Sequence, residues 1–338
     1  MAVIIDLPDD VVRPCLMRVP YMSHKNLKAV CPGWEAMLSD PSFYSDRKLS
    51  GNSDTLLCFL KRNTEYHVNG ITVYDPVKGT SESVPINIPH CGRIPVSCKC
   101  VCVNRKLVLI GGLHPSNKRE MKTIYIYDFV SARWSRGADI PNLRYLFAYA
   151  ACSSTGRIYF AGGHDRHHNA LATAEAYDVE EDKWEVLPPM SQPRNDCRGV
   201  CTEGKFVVLG GFRKDGALSR AERSAEVFDS REGRWTRLEN MWSLGGRSSS
   251  FVPSFCSGQL HVLYKRWVMK YESASNVWTA VASLPLDFPY FSSVTQWYDW
   301  LFVSRMPNIC YLVHLVTGRT VTFRGGEEFA YHVMTLEI

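Results

Sequence analysis

The chain has 338 residues, 45% apolar and 22% charged, with a formal net charge of +5. That ordinary globular composition excludes a largely disordered chain. No apolar run approaches the roughly 20 residues a bilayer crossing needs, and no Lys/Arg cluster or aromatic-basic motif suits nucleic acid, so neither a membrane nor a nucleic acid is expected as a partner.

Residues 1–46 are the one part with helical periodicity. Leu7-Pro8-Asp9-Asp10 reads as a helix entry with acids in the first turn, and Val11, Val12, Cys15 and Leu16 recur at helical spacing. Val19-Pro20 stops that helix. Leu27, Val30, Cys31, Trp34 and Leu38 form a second apolar stripe, and Pro32 inside it marks the first turn of a new helix, so three short helices are expected. A module this small buries little core by itself and is expected to lean on a partner. The early acids and the lack of a basic lead do not read as a secretory signal. Twelve scattered cysteines without a Cys-x-x-Cys pair agree with a reduced cytoplasmic or nuclear setting.

The segments LPDDVVRPCLMRVP, LKAVCPGW and MLSDPSFYSDR resemble an F-box. Pro32 departs from the basic or polar residue usual there, and a plain helical cap on the rest of the chain is the alternative. The resemblance implies docking on a Skp-family adaptor, and through it a cullin. Leu7, Pro8, Val11, Leu16, Val19, Pro20, Val30, Trp34 and Leu38 are the implied adaptor contacts.

Residues 47–54, RKLSGNSD, read as a polar linker. Thr55–Leu60 and Gly70–Asp75 follow as strands of a first sheet that lacks a leading strand and has Ser81 where later sheets place Trp. From there a period near fifty governs the chain. Gly111-Gly112, Gly162-Gly163 and Gly210-Gly211 end three strands at intervals of 51 and 48. Asp128 to Trp134, Asp178 to Trp184, Asp229 to Trp235 and Glu272 to Trp278 are each six residues apart. Repeating units run over 97–140, 148–190, 199–241, 250–284 and 292–323, the last two having lost GG. This pattern resembles the kelch repeat, a four-stranded propeller blade. The expectation is a mainly β protein: a six-bladed kelch β-propeller over 55–338 behind a three-helix F-box at 1–46. The divergent blades leave five or seven open, and residues 330–338 are expected to close the ring beside Thr55–Leu60.

The repeated Tyr127, Tyr177, Phe228 and Tyr271, with their tryptophans, read as interblade packing. Cys102, Cys152, Cys201 and Cys256 each precede a blade's second strand and suggest a ring near the axis. Thiols there fit crowded packing better than a four-sulfur metal site. His164, His167 and His168 fall in a loop with no spaced fourth ligand. No catalytic constellation, metal site or cofactor motif is visible, so no cofactor is expected.

Strand parity puts the loops after each second strand on the same face as the connections between blades. That face carries Arg144, Tyr145, His164, Arg166, Arg194, Asn195, Arg213 and Arg247, and is net positive. Arginines there are expected to clamp an acidic or phosphorylated target segment. Together the two parts resemble F-box/kelch-repeat proteins, a family expanded in plants. The resemblance implies a non-catalytic substrate receptor of a cullin-based ubiquitin ligase, with a phenylpropanoid-pathway enzyme or a hormone-response regulator as target. A scaffold working without ubiquitin and a propeller enzyme with an axial metal are the rival readings.

Overall fold

The structure, a computed structural model, describes residues 8–62, 68–215, 218–244, 251–256, 258–285, 293–305, 309–324 and 329–338. Six four-stranded antiparallel sheets form the blades. Blade 2 is Lys99–Val103, Lys106–Ile110, Ile124–Asp128 and Arg133–Gly137. Blade 3 is Ala148–Cys152, Arg157–Ala161, Ala174–Asp178 and Lys183–Leu187. Blade 4 is Arg198–Thr202, Lys205–Leu209, Ala225–Asp229 and Arg234–Leu238.

Blades 5 (Phe251–Cys256, Gln259–Tyr264, Trp267–Glu272, Val277–Ser283) and 6 (Ser293–Trp297, Trp300–Arg305, Ile309–His314, Thr320–Arg324) keep this form without the glycine pair. Lys265-Arg266 turns blade 5 in two residues, Lys265 taking the positive φ (54°) such hairpins use.

Blade 1 draws three strands from Thr55–Arg62, Val68–Asp75 and Thr80–Ser83, and its innermost from Phe329–Glu337. The innermost strands touch one another in succession, and Phe329–Glu337 meets those of blades 2 and 6. The ring is therefore closed, a six-bladed propeller whose edges near the axis are paired.

The repeated residues explain why each blade forms. Asp75, Asp128, Asp178 and Asp229 end third strands, and each carboxylate accepts the backbone N–H groups two and three residues on, turning the chain. Trp134, Trp184, Trp235 and Trp278 donate their indole N–H to Pro85, Ala138, Pro188 and Met241 carbonyls at 2.7, 3.2, 2.6 and 2.6 Å. Each acceptor lies on the segment leaving the preceding blade, so the indole ties neighbours together while its ring packs on the cross-strand aromatic. The second glycine of each pair is required by a close crossing. Gly112 and Gly211 have φ of 93° and 94°, and a Cβ would lie 2.7 and 2.9 Å from the Val96 and Asn195 carbonyls of the incoming chain.

The N-terminal module has four helices rather than three: α1 (Asp9–Met17), α2 (His24–Lys28), α3 (Pro32–Ser39) and α4 (Pro41–Leu49), with a 3-10 turn at Tyr21–Ser23. Pro32 opens α3 at its first turn. The unexpected α4 starts at Asp40, whose carboxylate accepts the Ser42 N–H at 2.8 Å, with Pro41 in the first turn.

Because α4 runs to Leu49, residues 47–54 are not a free tether, which corrects the linker reading. Arg47 is buried, donating to the Met17 and Asn52 carbonyls at 3.0 and 2.8 Å and pairing with Asp54 at 3.1 Å. Asp54 also accepts the Tyr21 N–H at 2.6 Å, and its backbone bonds that of Ile338 in both directions. The Tyr21 hydroxyl and Lys28 reach the Phe129 and Val130 carbonyls at 2.8 and 2.7 Å. One core runs from Val12, Leu16, Leu38, Phe43 and Tyr44 into Leu56, Ile71, Tyr127 and Phe129, so the module and blades 1 and 2 share it. Among the described residues no helix is long and apolar enough to cross a membrane.

Candidate functional site

Two surfaces lie at opposite ends of the propeller. The helical module covers the end bearing the turn after blade 2's third strand, through Phe129 and Val130. The long loops after second strands emerge at the other end.

On the module, α1 carries two apolar stripes. Val12 and Leu16, one turn apart, are buried in the shared core, while Pro8, Val11 (44% exposed) and Cys15 face water. Leu16 and Leu38 are therefore core residues and drop out of the expected docking set. Val19, Pro20 and Trp34 are half-buried, Trp34 packing on the same core. Val30 is 47% exposed, with Ala29, Pro32, Gly33 and Ala36 exposed nearby. Leu7 lies outside the described residues. An apolar stripe left in water on a helix whose other stripe is satisfied is a surface suited to a partner. Beneath it His24 is locked: Nε2 donates to the Val19 carbonyl at 2.9 Å and Nδ1 faces the Tyr44 hydroxyl at 3.0 Å. Burial pulls its pKa down to about 4.

At the other end, bridges Val96–Leu113, Tyr145–His164 and Asn195–Phe212 lay each incoming connection beside the loop after the second strand. Arg144 and Arg194, however, do not project from this face. Arg144 is buried, donating to the Gly162 and Thr173 carbonyls at 3.1 and 3.0 Å and pairing with Glu175 at 3.1 Å. Arg194 repeats the arrangement one blade on. It donates to the Gly210 and Ser224 carbonyls at 3.1 and 2.9 Å and pairs with Glu226 at 3.2 Å, neither partner having any exposed side-chain surface. Both arginines staple the glycine turn of their own blade to its third strand, so they are scaffold, which overturns their reading as a target clamp. Blade 2 has Pro95 and Tyr125 at the equivalent positions and lacks the pair altogether.

The other face residues stand as follows. The Tyr145 ring stacks on His164, centroids 5.2 Å apart, and its hydroxyl donates to Glu120. Arg166 is exposed and pairs with Glu120 at 3.1 Å, and His164 itself is buried. Arg213 is half-buried, bonding Gln192 at 3.1 Å and lying 3.7 Å from Glu222. Asn195 is half-buried, with its side-chain amide oxygen shielded from solvent and making no hydrogen bond, while its backbone carbonyl accepts the Phe212 N–H at 2.7 Å. Arg247 lies outside the described residues.

The sequence counts Lys118, Arg119 and Lys122 of the blade 2 loop toward the positive charge of this face, and all three are exposed; two cations on the channel wall were missed. Lys99 and Arg198 open the innermost strands of blades 2 and 4 at equivalent register, facing Ile110 and Leu209. Lys99 sits 6.0 Å over the Tyr149 ring. Burial first, and Arg198 next, hold its pKa below the usual lysine value. Their signal was present: basic residues at the same place in two repeats. Among the described residues no three His, Cys, Asp or Glu side chains gather as a metal site requires.

Comparison with known proteins agrees with both parts. Residues 4–46 match the F-box domain model, and 95–141, 147–191 and 193–241 match the Kelch motif. The three motif matches fall on blades 2, 3 and 4, where the glycine pair, Asp and Trp all survive. Among curated Arabidopsis thaliana proteins, F-box/kelch-repeat protein At2g44130 is 32% identical over 269 residues, spanning 70% of this chain and 65% of that protein. F-box/kelch-repeat protein SKIP20 is 31% identical over 300 residues, 74% and 70% of the two chains. F-box/kelch-repeat protein At1g80440 is 30% identical over 342 residues, 98% and 92%.

Proposed function

The chain belongs to the F-box/kelch-repeat proteins, and from that premise we propose that it is the substrate-recognition subunit of an SCF-type ubiquitin ligase. The F-box docks on a Skp-family adaptor and through it a cullin. The loop face of the propeller holds a protein target, and a separate conjugating enzyme transfers the ubiquitin. The chain's contribution is proximity, which raises the effective concentration of target lysines. It makes and breaks no bond itself, uses no cofactor and works in the cytoplasm or nucleus. Phenylpropanoid-pathway enzymes and hormone-response regulators are the target classes in keeping with the resemblance.

The observation that carries this reading is the two-sided α1, one stripe buried in the core that the module shares with the propeller and the other left in water. On the target side, Lys118, Arg119, Lys122 and Arg166 with Tyr145 support an acidic or phosphorylated segment as ligand. Co-purification with a Skp-family adaptor tests the docking half. Val11→Asp with Val30→Asp is expected to lower adaptor recovery at least ~10-fold without lowering the melting temperature. Unchanged recovery would reject docking through this stripe. In the same preparation, reversing the charge of Lys118, Arg119 and Arg166 is expected to abolish target capture and spare the adaptor.

A further inference from the structure

Cys102, Cys152, Cys201 and Cys256 all lie on innermost strands, near the end that faces the F-box. Register divides them into interface partners rather than a ring. Lys99, Ala148 and Arg198 hold equivalent places, opposite Ile110, Ala161 and Leu209. Cys102 and Cys201 come three residues after theirs and Cys152 four, and successive side chains alternate. Cys152 therefore points from blade 3 toward blade 4, and Cys201 from blade 4 back toward blade 3. Both belong to the cluster with Ala148, Ala150, Tyr159 and Phe206 that fills this interface. Just before them the two strands press together, since a Cβ on Gly199 would lie 2.9 and 3.0 Å from the Tyr149 backbone nitrogen and oxygen.

The surroundings of Cys152 are polar. Ser154 Oγ lies 3.3 Å from its sulfur, the Thr155 hydroxyl donates to the Cys152 carbonyl at 3.3 Å, and Cys201 and Gly204 are its other polar neighbours. The bond from Cys201 is the largest influence holding the Cys152 pKa down to about 5, against the opposing effect of burial. The same neighbour, with burial, pushes the Cys201 pKa up. Cys102 meets Cys58 across blades 1 and 2 without such a shell, and there the Cys58 bond and burial raise its pKa. Cys256 donates to the Tyr298 carbonyl at 3.1 Å. Cys152 is buried and Cys201 half-buried, and Ser153, adjacent to Cys152, lines a cavity of about 580 Å³ bounded by Tyr44 and Lys48 of α4, Arg105 and Glu337.

We propose that Cys152 and Cys201 are a dithiol that hydroperoxides oxidise to a disulfide joining blades 3 and 4. The Cys152 thiolate attacks the distal oxygen of ROOH. The S–O bond forms as O–O breaks, the alkoxide leaves and takes a proton as ROH, and the sulfur loses two electrons to become a sulfenic acid. The Cys201 sulfur then attacks Cys152 Sγ, forming S–S as S–O breaks, and the departing hydroxide takes the Cys201 proton to leave as water. Two thiols and one hydroperoxide give one disulfide, one ROH and one water. This chemistry is independent of the ligase reading.

The test uses the full chain, reduced and then titrated with hydrogen peroxide, with free thiols alkylated and peptides mapped without reduction. The expected product is a linked pair of peptides containing Cys152 and Cys201, two hydrogens lighter than the sum, formed before any other cysteine is consumed. In Cys201→Ser, Cys152 is expected to persist as a sulfenic acid that dimedone captures. In the untreated wild-type chain, iodoacetamide labelling of Cys152 is expected to change less than about twofold between pH 6 and 8, where an ordinary thiol gains roughly tenfold per unit. Cys152 and Cys201 remaining free at peroxide levels that oxidise exposed Cys15, or linking to other partners, would overturn the proposal. The wild-type map decides this even if the variant fails to fold.

Discussion

Arg194 and Glu226 pair with no side-chain surface exposed to water, so each is the other's ionic partner in the interior. Removing one leaves the other uncompensated. Arg194→Met is expected to cost about 3–5 kcal/mol in urea unfolding, with target capture failing only as far as folding fails. Buried imidazoles make a second prediction. Burial, the main cause, brings His24 and His332 down to about 4, whereas both titrate near 6.5 when unfolded. Between those values the unfolded chain binds more protons, so stability is complete above about pH 6.5 and is lost as pH falls toward 4. Unfolding free energy is expected to drop by about 2 kcal/mol per histidine from pH 7 to pH 5, and a flat profile would mean the imidazoles are not held neutral. The tryptophans were legible as scaffold because they recur at fixed spacing. Arg144 and Arg194 recur fifty apart, and Glu175 and Glu226 fifty-one, so the same test applied to them marks structure as well. They were misread because charge on a loop suggests solvent, and the carbonyls they cap become neighbours only when the glycine turn closes over them.

At the level of elements, the glycine turns govern how the connection between blades crosses the loop after the second strand. Gly163→Ala puts a Cβ into the backbone of Tyr145 and a side chain at φ 83°. It is expected to lower stability by roughly 1–3 kcal/mol, and a melting temperature within error of wild type would mean the crossing can relax. Periodicity made α1 legible as a helix but not which side is inward. Val11 with Cys15 and Val12 with Leu16 are both apolar at helical spacing, and the core that decides between them is assembled from Leu38, Phe43 and Tyr44 of α3 and α4 together with Tyr127 and Phe129, more than a hundred residues away. The fourth helix did have a local sign in Asp40-Pro41-Ser42, a capping carboxylate followed by a proline in the first turn. Polar residues 45–48 hid it, because after the buried Phe43 and Tyr44 the inward side continues with a guanidinium, Arg47, in place of an apolar side chain.

In the molecule as a whole, closure depends on a strand supplied from the far end of the chain. Deleting residues 330–338 removes the innermost strand of blade 1 and exposes the edges of blades 1, 2 and 6 along the axis. The truncated chain is expected to lose cooperative melting and to be cleaved rapidly by trypsin, and protease resistance like that of the full chain would contradict closure by this strand. The shared core has a related effect on experiments that remove residues 1–46. Such a chain bares Leu56, Tyr127 and Phe129 and leaves Arg47 without Met17, so point changes at Val11 and Val30 are the cleaner way to separate adaptor binding from folding.

Arg47 seated on Asp54, with Asp54 knitted to Ile338, makes the junction of the two parts a weld instead of a swivel. In the proposed ligase role, a captured protein would then be held at one fixed bearing relative to the ubiquitin carrier, and its own contour would select the lysine that comes within range. Splicing a few glycines into that junction would blur which lysine is marked while leaving the grip itself intact.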